Sequence, residues 1–140
     1  MENVEEAPGD ETQLDFGIAY PVGYLVAAFR SRTDAERVRD DLLKGGYESA
    51  DCILQSSAEV SAAATRNLED HTGWLARLGT SADALQLQLD AANQGATFLR
   101  ILAPSDSDVA RAMNVVRRVP FELAHRYQRF AIEDMKLSKT

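Results

Sequence analysis

The sequence has few of the residues on which many small proteins depend for stability or catalysis. Among its 140 residues there is one cysteine, Cys52, and one tryptophan, and the only histidines are His71 and His125. A single cysteine excludes an intramolecular disulfide, and one cysteine with two distant histidines lacks the spacing of a zinc site. Because Cys52 stands in an apolar segment, we expect a buried, unreactive thiol. We expect no metal and no cofactor.

Long apolar runs are also missing. No stretch reaches the ~18 residues that a membrane-spanning helix requires. The chain begins Met-Glu-Asn-Val-Glu-Glu, without the basic and apolar regions of a secretory signal. We therefore expect a cytoplasmic protein without a membrane partner. Its hydrophobic content of 45% and charged content of 26% are typical of a soluble globular domain.

Lysine and arginine are absent from residues 1–16, which hold six of the 22 acidic residues. These six are Glu2, Glu5, Glu6, Asp10, Glu11 and Asp15. The other 16 acids nearly cancel the 15 bases, so the net charge of −7 belongs mainly to this segment. We expect residues 1–23 to be an acidic, disordered leader. The alternative is an acidic arm that docks on a basic face of this chain or of a partner.

The most informative feature of the sequence is a strand–helix–strand pattern that occurs twice. A strand-like run, a capped helix and a second strand-like run occupy residues 24–55, and a similar set occupies residues 96–128. Two such units on one sheet form a split βαβ, or ferredoxin-like, sandwich. The sequence therefore predicts an α+β fold with a four-stranded antiparallel sheet. This fold carries many unrelated functions, so it constrains architecture more than activity.

The first unit begins with residues 24–29, which are apolar at every position. Such a run predicts a central strand that is covered on both faces. Thr33 and Glu36 have the spacing of a capping box, which predicts a helix over residues 34–44. Two glycines end this helix, and a strand is predicted over residues 50–55.

The second unit begins with an apolar strand predicted over residues 96–103. Ser105 or Ser107 caps a helix predicted over residues 108–118. Residues 121–128 alternate between apolar or aromatic and polar side chains, which predicts a strand with one face in solvent.

One predicted domain spans residues 24–135, and residues 56–94 form a helical insertion between its second and third strands. The insertion is predicted to contain a helix near residues 58–70 and another over residues 82–93. Residues 130–135 are predicted to pack back as a turn of helix, and residues 136–140 to fray. Apolar side chains in the insertion are candidates for a protein contact surface: Trp74, Leu75, Leu78 and Leu87.

Two stretches resemble the bacterial general stress, or heat-induced stress, protein family. The first is AFRSRTDAERVRDDLLKGGY, residues 28–47, with a strand, a Thr-Asp-Ala helix start and Gly-Tyr after the helix. The second combines GATFLRI, residues 95–101, with a Ser-Asp capped helix and YQRFAIEDM, residues 127–135. The resemblance implies a ferredoxin-like fold and a stress-linked role, and it supplies no catalytic residues. The long helical middle and the acidic leader depart from shorter family members.

No catalytic residues are predicted. The phosphate-binding glycine motifs are absent, and no nucleophile lies in a pattern with a base, so we expect no enzymatic activity. Arg100, Arg126 and Arg129, with Tyr127, give a basic and aromatic pattern near the last strands. Its spacing differs from that of RNA-recognition domains, and the pI of about 4.8 disfavours nucleic acid as a partner.

The leading hypothesis is a non-enzymatic stress-related or regulatory protein that acts by association. It would form a homodimer or a larger homo-oligomer, or bind another protein. The alternative is a small-ligand sensor for an anionic metabolite or a nucleotide at the end of the first strand. There Arg30, Ser31, Arg32 and Thr33 precede a helix N-terminus, which attracts anions. The arginines have a structural alternative, since they can pair with Asp34, Glu36 or Asp40.

Overall fold

The computed structural model describes residues 22–62, 81–129 and 131–136. Their strands and helices, in chain order, are β1 (Tyr24–Phe29), α1 (Arg32–Lys44), β2 (Cys52–Gln55), α2 (Ser81–Asn93), β3 (Thr97–Leu102), α3 (Asp106–Val116), β4 (Leu123–Gln128) and β5 (Ala131–Asp134). One turn of 3₁₀ helix, Ser49–Asp51, precedes β2, and residues 57–62 are helical. Nearly all of the predicted leader and tail lies outside the described residues.

The described strands form one sheet in the order β2-β3-β1-β4-β5, with every neighbouring pair antiparallel. Because β3 lies between β1 and β2, and β1 lies between β3 and β4, each strand–helix–strand unit is split by a strand of the other unit. The predicted α+β class is therefore confirmed, and so is the central position of residues 24–29.

The sheet has five strands where the sequence predicted four. The additional strand is β5, which pairs with β4 through Tyr127 opposite Ile132 and His125 opposite Asp134. It occupies the segment for which a turn of helix was predicted, and that prediction is wrong. With four residues and two acids, the segment has too few apolar positions for its period to be recognised from sequence.

Two helices cover the first face of the sheet, which carries Leu25, Ala27 and Phe29 of β1. Helix α1 contributes Ala35, Val38 and Leu42, and helix α3 contributes Val109, Ala112, Met113, Val115 and Val116. Together with side chains from the other strands, these residues form the larger of two apolar clusters.

Helix α2 covers the second face, which carries Val26 and Ala28 of β1. Its buried apolar residues are Ala84, Leu85, Ala91 and Ala92. The prediction that β4 has one face in solvent is wrong. Ala124 is buried on the first face, whereas Leu123 and Tyr127 are buried on the second. The side chains of β4 therefore alternate between two faces of the sheet that are both covered by helices.

Serine side chains begin the two helices on the first face. Ser31, and not the predicted Thr33, caps α1 by accepting a hydrogen bond from the backbone N–H of Asp34. Ser105 caps α3 in a reciprocal capping box with Asp108. After α1, Gly46 has a φ of 110°, which glycine adopts without the steric cost that other residues bear.

In the described part of the chain, no helix is long and apolar enough to cross a lipid bilayer.

Cys52 should resist thiol reagents in the native protein. Its side chain is fully buried, and burial, reinforced by Asp51 and opposed by Arg39, raises its pKa from 9.0 to about 11. Because the thiolate is the reactive form, labelling at pH 8 should be slow in buffer and fast in guanidinium chloride. Equal labelling rates in the two solvents would contradict the burial of this residue.

Replacing the cap of α3 should measurably destabilise the domain. Ser105→Ala removes the acceptor for the Asp108 N–H and should lower the free energy of unfolding by about 1 kcal/mol in urea denaturation. Ser107→Ala is the matched control: the Ser107 hydroxyl lies 3.2 Å from that of Ser105, but the backbone N–H of Asp108 donates to Ser105, so the effect should stay within ~0.5 kcal/mol. Equal losses would contradict the capping assignment.

Candidate functional site

The predicted anion site lies at the junction of β1 and α1, where the structure gives both arginines acidic partners. Nη2 of Arg30 lies 3.2 Å from a carboxylate oxygen of Glu122, and Nε of Arg32 donates to Glu36 at 2.9 Å. The Ser31 side chain caps α1 by accepting a hydrogen bond from the backbone N–H of Asp34. The pair of Arg32 with Glu36 is one that the structural alternative named, whereas Glu122, the partner of Arg30, is not among the acids that the sequence suggested.

These ion pairs contribute little to the stability of the fold, because their side chains are exposed. The Arg30 side chain is 79% exposed, and surface pairs of this kind stabilise a fold by less than ~1 kcal/mol. Thr33 is also exposed. The four residues Arg30, Ser31, Arg32 and Thr33 are therefore contiguous at the surface, and their role in ligand binding stays a prediction.

Of the predicted contact residues, only Leu87 falls within the described residues; Trp74, Leu75 and Leu78 lie outside them. Leu87 is 49% exposed and projects from the outer side of α2. Its neighbours Asp83, Gln86 and Asp90 on that side are exposed and polar, and Gln86 donates to Asp90 at 3.1 Å. Leu87 thus stands as an apolar side chain in a polar surface.

A buried polar cluster joins α2 to the second face of the sheet. Nε2 of Gln88 lies 2.9 Å from Nδ1 of His125 and donates to the Tyr127 hydroxyl at 2.7 Å. All three side chains are buried, and His125 is completely so. Because the Gln88 amide donates both bonds in this arrangement, Nδ1 accepts and the His125 proton resides on Nε2. Within the described residues, that Nε2 has no hydrogen-bond partner.

The environment keeps His125 neutral. Burial lowers its pKa from 6.5 to about 4, and the negative charge of Asp134, its partner across β4 and β5, opposes part of this effect. A signal for the cluster was present, since Gln88 interrupts the apolar stripe of α2 that includes Leu85 and Ala92.

The basic and aromatic residues near the last strands do not share one surface. Tyr127 is buried beneath α2 on the second face, while Arg126 belongs to the first face. Arg100 lies on the second face, with its guanidinium 5.2 Å from the centre of the Tyr24 ring. A continuous basic-aromatic sheet face, the hypothesis considered for RNA binding, is therefore not formed by these residues.

A cavity of about 540 Å³ lies between the first turn of α3 and β5. Its polar residues include Asp106, Arg126 and Glu133, and Val109, Ala110 and Met135 supply an apolar wall. Nη1 of Arg126 lies 2.8 Å from Asp106 and 4.0 Å from Glu133. The sequence did not predict this site, because the three charged residues meet only when α3, β4 and β5 pack together.

A smaller cavity of about 300 Å³ follows the end of α1, where Arg111 lies over the ring of Tyr47 at 5.0 Å. Arg111 also pairs with Asp108 at 3.6 Å. Across residues 22–62, 81–129 and 131–136, no three His, Cys, Asp or Glu side chains are grouped to hold a metal ion.

Acid should destabilise the protein through His125. Between pH 6.5 and about 4, the unfolded chain binds a proton that the folded protein excludes, so the free energy of unfolding falls as the pH falls. The full loss is on the order of 3 kcal/mol, since one pKa unit corresponds to ~1.4 kcal/mol. Urea denaturation across this pH range measures it.

The matched variants for this measurement are His125→Gln and His71→Gln. His125→Gln should remove this part of the pH dependence, even if it lowers stability at every pH, whereas His71→Gln should retain it. If His125→Gln and the wild type lose stability in parallel as the pH falls, the assignment to His125 is wrong.

Comparisons with known proteins gave no match at any of three levels. No protein-family model matches the chain, and searches of curated proteins and of solved structures found no significant similarity. The resemblance to stress proteins therefore remains a prediction from the sequence.

Proposed function

We propose that this chain is a non-enzymatic cytoplasmic protein, stress-related or regulatory, that works by associating with a second copy of itself or with another protein. The proposal includes a ferredoxin-like fold, which the split arrangement of β1 to β4 supports. In this proposal, β5 extends the sheet at one edge and α2 belongs to an insertion after β2.

Sheets of this type can associate through an uncovered face or an open edge. Here α1 and α3 cover the first face, and α2 packs on the second. At the β2 edge, Nε of Arg39 donates to the Cys52 carbonyl at 2.8 Å, so a side chain occupies an acceptor that a second strand would use. These contacts disfavour association through either face of the sheet or through the β2 edge.

The observation that carries the proposal is the exposure of Leu87 on a helix whose opposite side is fully packed. The alanines, Leu85 and Gln88 of α2 are buried on its inner side, so its outer side is available to a partner. The sequence places Trp74, Leu75 and Leu78 in the same insertion. We infer that the outer side of α2 forms the contact surface together with Trp74, Leu75 and Leu78.

Substitution of Leu87 should weaken the association. We expect the wild type to have the mass of a dimer or a larger assembly by light scattering, and Leu87→Lys to shift the mass toward the monomer, because a charge replaces an apolar contact. Trp74→Ala should act in the same direction. Asn114→Lys, which adds the same charge at an exposed position of α3 on the other side of the sheet, is the matched control and should leave the mass unchanged.

A monomeric wild type would contradict self-association and leave only a different protein as the partner. An oligomer that Leu87→Lys and Trp74→Ala both leave intact would contradict this choice of surface. Circular dichroism of each variant distinguishes lost association from lost folding.

A further inference from the structure

The cavity between α3 and β5 combines both signs of charge with an apolar wall. From this combination we propose that it is a binding site for a small zwitterion, an α-amino acid with an apolar side chain. The ligand carboxylate would pair with Arg126, the ammonium group with Asp106 or Glu133, and the side chain would lie on Val109, Ala110 and Met135.

Arg126 supplies the fixed positive charge. Its side chain is only 15% exposed, and within the described chain both of its ion pairs are made through Nη1. The Nε–Nη2 edge of a guanidinium has two parallel donors, which is the geometry that binds a carboxylate with two hydrogen bonds. A carboxylate can therefore bind beside Glu133 without displacing both acidic partners.

Asp106 supplies a negative charge that can change partners. Its side chain is 93% exposed, and that of Glu133 is 44% exposed. An ion pair with one member in water contributes little, so exchange of Arg126 for a ligand ammonium group costs Asp106 little free energy. The capping box of α3 uses Ser105 and Asp108, and this exchange leaves it intact.

Charge complementarity selects the ligand class. A simple anion would approach Arg126 against two carboxylates, and a simple cation would approach the carboxylates against a largely buried guanidinium. A zwitterion satisfies both signs and leaves the net charge of the cavity unchanged. The volume of about 540 Å³ suits a small molecule, and the apolar wall favours a side chain such as that of leucine or methionine.

This proposal goes beyond the proposed function and does not depend on it. The cavity involves α3, β4 and β5, whereas the contact surface lies on the outer side of α2. Loss of association in the Leu87→Lys variant would leave amino-acid binding intact, so the two proposals fail separately.

The test is calorimetric titration of the full-length protein with four related compounds. L-leucine is the probe; 3-methylbutylamine lacks its carboxylate, 4-methylpentanoate lacks its ammonium group, and L-aspartate replaces its apolar side chain. We expect saturable binding of L-leucine and weaker binding of the other three, by at least roughly tenfold. Equal affinity for L-leucine and either single-charge analogue would overturn the proposal, as would no binding at millimolar concentration.

Variants locate the site. Arg126→Gln, and the double change of Asp106→Asn with Glu133→Gln, should each weaken L-leucine binding by roughly tenfold or more. The double variant guards against misfolding of the first variant, because the side chains of Asp106 and Glu133 are 93% and 44% exposed. Arg111→Gln, which removes an exposed arginine outside this cavity, is the matched control and should bind normally. If the double variant folds and binds L-leucine as the wild type does, the site is wrong.

Discussion

Burial of both faces of β1 is the constraint on which the rest of the structure depends. Its five residues after Tyr24 are buried, and they alternate between the two apolar clusters. Apolar side chains on both sides of a strand require cover on both sides. Helices α1 and α3 cover the first face, so the second face needs a separate element, which α2 provides.

The buried side chains that cover the two faces of the sheet differ in chemistry. The first face packs through branched and large apolar side chains, whereas α2 has three alanines and a glutamine among its buried residues. Small residues bury little apolar area, so the hydrogen bonds of Gln88 with His125 and Tyr127 contribute specificity that packing alone would not give. Buried polar groups with defined partners favour one register of helix on sheet, because each alternative leaves a donor or an acceptor unpaired.

The elements that could be predicted are those specified by residues close together in the sequence. The apolar run of β1, the helices α1 and α3 and the cap at Ser105 follow from periodicity and from capping residues near in sequence. Strand β5 was not predictable, since its four residues carry two acids and one isoleucine. The burial of Ala124 and Arg126 depends on α3 lying above β4, which no local pattern specifies. The charged cavity likewise joins Asp106 to Arg126 across 20 positions of sequence.

The contact from Arg39 to the Cys52 carbonyl bears on two separate properties. As a partly buried hydrogen bond from a charged group, it contributes on the order of 2 kcal/mol to the stability of the folded monomer. At the edge of a sheet, however, the same bond occupies a position where strands of other molecules would add, and such addition leads to aggregates. A change at Arg39 therefore acts on association between molecules as well as on the stability of one molecule.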